Sequence, residues 1–138
     1  MADILVAQFE IESDSKGSAR AAAYLENLTA INSTLYVLAV GTYKRESGSA
    51  YIVIITSAGA MTPLGSTALV SPGAGEQTVI AVSAEIESGG SANFAKALNA
   101  AVAAFSTDSP PYALTKFVSL SINVRNSGSS YATAILAS

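Results

Sequence analysis

Four glutamates stand in two matched pairs, Glu10 with Glu12 and Glu85 with Glu87, each inside the same Glu-Ile-Glu-Ser tetrapeptide. In an extended chain, residues two apart project from one face, so each pair sets two carboxylates side by side. Four carboxylates gathered at one place offer the oxygen ligands that a hard cation such as Ca²⁺ or Mg²⁺ takes. Two of them could also divide the work of a general acid and a general base. The plainer reading is that they solvate two strand ends, and an E-x-E spacing alone argues no further. No catalytic, cofactor-binding or metal-ligating role is therefore assigned to Glu10, Glu12, Glu85 or Glu87.

The remaining chemical inventory is thin. The chain has no Cys, His or Trp. Without Cys there are no disulfides, thiolate metal sites or cysteine nucleophiles. Without His the usual general base and the commonest transition-metal ligand are missing. Gly73-Ala74-Gly75 is followed neither by the third glycine nor by the helix of a dinucleotide fingerprint. Arg45 and Arg125 occupy matching hairpins, where they read as solvated loop ends. The sharper alternative pairs them with acidic groups of a neighbouring subunit or with an anion. Tyr51 and Tyr131 begin matching strands and read as packing at the core's edge, since a base-stacking platform would carry more aromatic and basic residues.

The elements that position these residues follow from hydrophobic periodicity. Asp3 to Glu12 alternates as a strand, with Leu5, Ala7, Phe9 and Ile11 expected on the buried face and Gln8, Glu10 and Glu12 on the wet one. After the turn Asp14-Ser15-Lys16-Gly17, Ser18 is placed to cap a helix running to Ile31. Its apolar stripe is Ala21, Leu25 and Leu28, flanked by Tyr24 and Ile31. Thr34 to Tyr43 is apolar at nearly every position, which predicts a strand covered on both faces, centrally placed or at an interface. Ala50 to Ser57 is β-branched and uncharged, an aggregation hazard unless it has a neighbour on each side or a partner subunit. Thr78 to Glu87 repeats the first strand, with Ile80, Val82, Ala84 and Ile86 inward. A second helix spans Ser91 to Phe105, with Phe94, Leu98, Ala101 and Phe105 in one stripe. Leu114 to Arg125 sets Val118, Leu120, Ile122 and Val124 against Ser119, Ser121 and Asn123, and Ser130 to Ala137 closes the chain.

These elements come in two sets with the same order. Glu10 to Ser13 recurs 75 positions on, Gly17-Ser18-Ala19 recurs 73 on as Gly90-Ser91-Ala92, and Ser47-Gly48-Ser49 recurs 80 on as Ser127-Gly128-Ser129. The expectation is an α+β domain made from an internally duplicated strand–helix–strand–strand unit. Two helices pack on a mainly antiparallel sheet with pseudo-two-fold symmetry. Residues 1–57 form the first repeat, 58–77 a joint and 78–138 the second repeat. The joint, with turn clusters at Met61 to Gly65 and Ser71 to Gly75, is expected to hold an ordered arm or a short strand at Thr67 to Val70.

Composition sets the functional expectation. Half of the 138 residues are hydrophobic but only 12% are charged, against about a quarter in ordinary globular chains. Small residues fill the deficit, with 26 Ala and 20 Ser. Such a chain folds, yet has few charges to hold its surface away from other copies. With a net charge of −3 and scattered basic residues, it is a poor partner for nucleic acid. No apolar run is long enough for a membrane span, and the N-terminal residues lack the pattern of a signal peptide. The expectation is a cytoplasmically made, non-enzymatic structural protein without cofactor or metal. Its partners are other copies of itself and a larger protein shell or tube, as for a virion coat, decoration or tail-tube subunit. The competing readings are a ligand-binding or catalytic domain with a pocket between the halves, and a clamp-like ring around nucleic acid.

Overall fold

The computed structural model describes residues 4–11, 16–31, 35–45, 49–59, 61–63, 78–87, 90–105, 112–124 and 129–138. In chain order the elements are β1 (Ile4–Glu10), α1 (Lys16–Ile31), β2 (Tyr36–Lys44), β3 (Ala50–Ser57), β4 (Val79–Glu85), α2 (Gly90–Ala103), β5 (Lys116–Val124) and β6 (Ser130–Ala137). The fold is α+β. Two antiparallel three-stranded sheets form, with orders β1-β3-β2 and β4-β6-β5. The uncharged strands β3 and β6 are thus central, each shielded by hydrogen-bonded neighbours on both edges, which is one of the two covers expected for β3.

The two sheets match in register. Ile4 lies opposite Ser57 and Val79 opposite Ala137. The partner strands of both sheets carry an irregularity at the same place, between Val37 and Ala39 in β2 and between Phe117 and Ser119 in β5. A β-bulge inserts one residue and turns the residues beyond it to the other face. For that reason the inward residues of β5 are Phe117, Leu120 and Ile122, while Val118, expected inward from simple alternation, sits in the irregularity.

Directly opposed residues in an antiparallel pair share a face, and this fixes which side of each sheet meets what. In the first sheet, Leu5 and Phe9 share a face with Ile54 and Thr56. α1 lies on that side, with Tyr24 5.6 Å from Phe9 between ring centroids. The opposite face carries Ile4, Val6 and Gln8 with Val53 and Ile55, and it looks into the main core. β1 therefore corrects the reading of its alternation: the face with Gln8 and Glu10 is the inner one, while Leu5 is exposed. Both faces of the sheet receive packing, so period two marked two faces but did not say which was wet.

The second sheet turns Ile80, Val82 and Ala84, with Ala132, Ala134 and Leu136, toward that core. α2 lies between the sheets, in contact with both β1 and β4, and β2 touches β5 on the far side. Its stripe of Phe94 and Leu98 is fully buried, with Ala101 and Phe105 beside it. Gly41 on β2 meets the Leu120 side chain, where an added Cβ would lie 3.2 Å from Leu120 Cδ2. The layers thus run α1, first sheet, α2, second sheet. Pseudo-two-fold packing would set α1 against β4 as α2 is set against β1. Instead α1 contacts β1 and β3.

Several boundaries also move. α1 begins at Lys16, so Ser18 lies within its first turn and is not the cap, and α2 begins at Gly90. β2 is an edge strand with Val37, Val40 and Thr42 exposed, not a strand covered on both faces. Of the joint, Met61 is buried and Thr62 forms a parallel bridge to Lys116 on the free edge of β5. Thr62 N–H donates to Thr115 O at 2.9 Å and Phe117 N–H to Thr62 O at 3.0 Å. The expected strand at 67–70 lies outside the described residues, as do Glu12 and Arg125.

Candidate functional site

Three of the residues singled out above, Arg45, Tyr51 and Glu87, come together at one end of the junction between the sheets. Arg45 leaves the end of β2 and lies over the Tyr51 ring, 3.9 Å from its centroid. Its Nη1 donates to Tyr51 OH at 3.2 Å, its Nε to Tyr43 OH at 3.3 Å and its Nη2 to Glu87 O at 3.3 Å. The Glu87 carboxylate is 4.0 Å from Nε and accepts the Ser130 hydroxyl at 2.8 Å. Tyr43 and Tyr51 stack with centroids 5.7 Å apart. Tyr43 OH donates to Gln8 Oε1 at 2.5 Å, and Gln8 Nε2 in turn donates to Ile86 O and to Ser91 Oγ, both at 2.6 Å.

Each member is placed by local structure. Arg45 follows β2 where its N–H donates to Ser49 O and closes the loop. Tyr43 and Tyr51 lie opposite each other in the ladder. Ser91 sits in the first turn of α2, which starts directly below the end of β4. At Gly90 an added Cβ would lie 2.0 Å from Glu85 O, so only glycine lets the chain turn that sharply against the strand.

Burial dominates the electrostatics. It pushes the Tyr43 hydroxyl up from its ordinary pKa; hydrogen bonding and charge from Arg45 oppose this, while Glu87 and Tyr51 add to it. For Arg45, burial works to lower the pKa, but Tyr43, Tyr51 and Glu87 together outweigh it and hold the guanidinium above its usual value. Arg45 is a fixed cation in a planar, stacked and multiply bonded setting, the kind of site that suits arginine better than lysine. The arrangement can lock two sheets together. Three guanidinium N–H bonds and both polar atoms of Gln8 are used within it.

Of the paired carboxylates, the described ones, Glu10, Glu85 and Glu87, form no cluster. Glu85 accepts the Glu87 N–H through Oε1, Glu87 faces Arg45 and Ser130, and Glu10 stands opposite Tyr51 in the first sheet. Among the described residues, no three acidic side chains come together as a cation site would need. Arg45, expected as a solvated loop end, is half-buried and paired with an acid of its own chain. Gln8, Tyr43, Ser91, Asn99 and Ser130 carried no sequence signal of their own. Gln8 falls on the face of its strand expected to be wet, and Asn99 interrupts an Ala-rich helix, which was the available hint.

A second feature lies at the two outer ends of the layered stack. Among the described residues, five large hydrophobic side chains are more than a third exposed. Leu5 at 42%, Val37 at 40% and Val40 at 52% share the α1 side of the first sheet, and Val79 at 54% lies on the outer face of the second. Only Val124 lies elsewhere, near the last hairpin. The outer face of the second sheet also carries the small residues Ala81, Ser83, Ser121 and Thr133 at its middle, with Ile135 and Tyr131 beside them and the charged Lys116 and Glu85 toward its two ends.

Comparison of the chain with protein-family models, with curated proteins and with solved structures gives no match. No helix among the described residues is long and apolar enough to cross a membrane.

Proposed function

We propose that this chain is a non-enzymatic structural protein that self-assembles or decorates a larger assembly, most concretely as a virion coat, decoration or tail-tube subunit. The observation that carries the reading is the set of exposed apolar side chains at the two ends of the stack, Leu5, Val37 and Val40 at one and Val79 at the other. Scattered apolar residues are ordinary on a monomer, but grouped ones such as Leu5, Val37 and Val40 mark an interaction surface. The space between the halves supports the same view, because Phe94, Leu98, Phe117 and Leu136 fill it with fully buried side chains, where a pocket between the halves would need room for a ligand.

The same reading takes the two halves as duplicated units. Its support is the identical sheet order, the equal registers and the paired irregularities, which sit 80 residues apart. Repeated units that cannot bury their own faces do so by stacking. Here the relation between the units is stacking in one direction and not a two-fold.

Size-exclusion chromatography with light scattering tests the proposal. A closed oligomer, tubes or shells are expected at micromolar concentration. A 13.9 kDa species that persists across the concentration range overturns it.

A further inference from the structure

Resting on that reading of stacked units, we propose that copies associate head to tail, each contact repeating between chains the junction that joins the two halves within one chain. The outer face of the second sheet of one copy covers α1 and the α1 side of the first sheet of the next. The occupant of both exposed faces is therefore a second copy of this chain.

The internal junction is the template. Inside the chain, the inner face of the first sheet covers α2 and the inward face of the second. Shifted by 75 residues in the leading strand and 80 in the hairpin strands, the same two faces recur at the ends of the molecule, and their apolar residues stand exposed there. Val79, at 54% exposed, is the counterpart of Ile4, which the junction buries to 1%. Val37 and Val40 are the counterparts of Phe117, which is fully buried, and of Leu120, which packs against the core. Leu5 corresponds to Ile80, another residue packed on that core. Four of the five exposed large hydrophobic residues, all but Val124, thus fall at positions whose counterparts lie in the internal junction.

Side-chain volumes compensate across the proposed contact. Gly41 leaves room for Leu120, with an added Cβ only 3.2 Å from Leu120 Cδ2. The counterparts are Ser121 and Val40: one side gains a Cβ and a hydroxyl, and the other loses a carbon. Val6 and Val53 correspond to Ala81 and Thr133, so the intermolecular version is smaller and richer in hydroxyls. That is the composition of a contact that forms between folded copies, where the internal junction has the composition of a core. A contact between two different faces is heterologous, and its repetition gives a ring where the rotation closes and an open filament where it does not.

Because the chain lacks cysteine, introduced thiols report the contact without background. Val40→Cys and Ser121→Cys, prepared separately and mixed under a mild oxidant, are expected to yield a mixed crosslinked dimer. Neither alone is expected to crosslink, and a chain carrying both is expected to give a ladder. Val40→Asp, at an exposed site, is expected to return the assembly to the monomer mass with an unchanged circular dichroism spectrum. Self-crosslinking of either single variant means that like faces meet, and overturns the proposal. So does an oligomer by light scattering whose mixed variants fail to crosslink, which leaves self-assembly standing and removes this mode of it. A protein that is monomeric throughout removes both.

Discussion

At the scale of single residues, Tyr43 is the group whose chemistry the fold changes most. Burial raises its pKa above the ordinary value of a tyrosine. A raised pKa means that the folded state holds the proton more tightly than the unfolded chain. Stability from this group is therefore full below pH ~10 and is lost as pH rises through the higher folded value. Tyr24, also raised by burial with the Thr56 hydroxyl opposing, acts in the same direction. Thermal melts between neutral pH and pH ~12 should show an alkaline decline that shrinks in Tyr43→Phe. At neutral pH the same variant should cost about 0.5–1.5 kcal/mol for its hydrogen bond to Gln8. An unaltered alkaline limb would mean that Tyr43 ionises without consequence. Asn99 is the second such residue. Its Oδ1 accepts the Ile4 N–H at 2.9 Å and its Nδ2 donates to Ile4 O at 2.8 Å, while Nδ2 also reaches Ala95 O. A side-chain amide here substitutes for a neighbouring strand on the open edge of β1. Asn99→Ala should cost about 1–3 kcal/mol in chemical denaturation, because both backbone groups lose their partner. A change below about 0.5 kcal/mol would show that water replaces the amide without loss.

At the scale of elements, the two helices share a sequence pattern but not a role. α2 carries Phe94 and Leu98, both fully buried, between two sheets. α1 offers Ala21 and Leu25 at the corresponding places, and it covers one face of one sheet. Its larger stripe residues, Tyr24, Leu25 and Leu28, are only half-buried. The difference was legible in residue size, since two phenylalanines and a leucine fill a deeper groove than alanines do. What periodicity did not reveal is that α2 has two neighbours. Gly90 is where this element is most constrained. Gly90→Ala drives a Cβ into the Glu85 carbonyl, so the start of α2 must shift. The expected loss is about 1–3 kcal/mol, as for overpacking at other tight sites, read as a lowered denaturation midpoint. Alanine favours helices intrinsically, so a stabilised variant would mean that the turn relaxes freely.

For the whole molecule, the one-directional stacking of the layers makes the halves unequal. The second half keeps α2 over the inward face of its own sheet. The first half covers only the α1 side of its sheet and depends on α2 for the face with Ile4, Val53 and Ile55. Residues 78–138 expressed alone should therefore hold native-like secondary structure, whereas 1–63 alone should be unfolded or aggregate, as an uncovered apolar sheet face dictates. Circular dichroism and amide exchange on the two fragments check this. Equal behaviour of both would argue against the layered order.

The order of the elements, their types and the need of the uncharged β3 for cover were set by local sequence: hydrophobic period, glycine and serine turns, and β-branched runs act over a few residues. The tertiary structure decided which face of β1 is inner, that β2 lies at an edge, and where α2 goes. It also brought Arg45 to Glu87. Those outcomes depend on which apolar face finds which partner across the chain, a competition among burial energies that no local pattern encodes. Period two gives a strand two faces; only the packing of the second half against the first says which of them is inside.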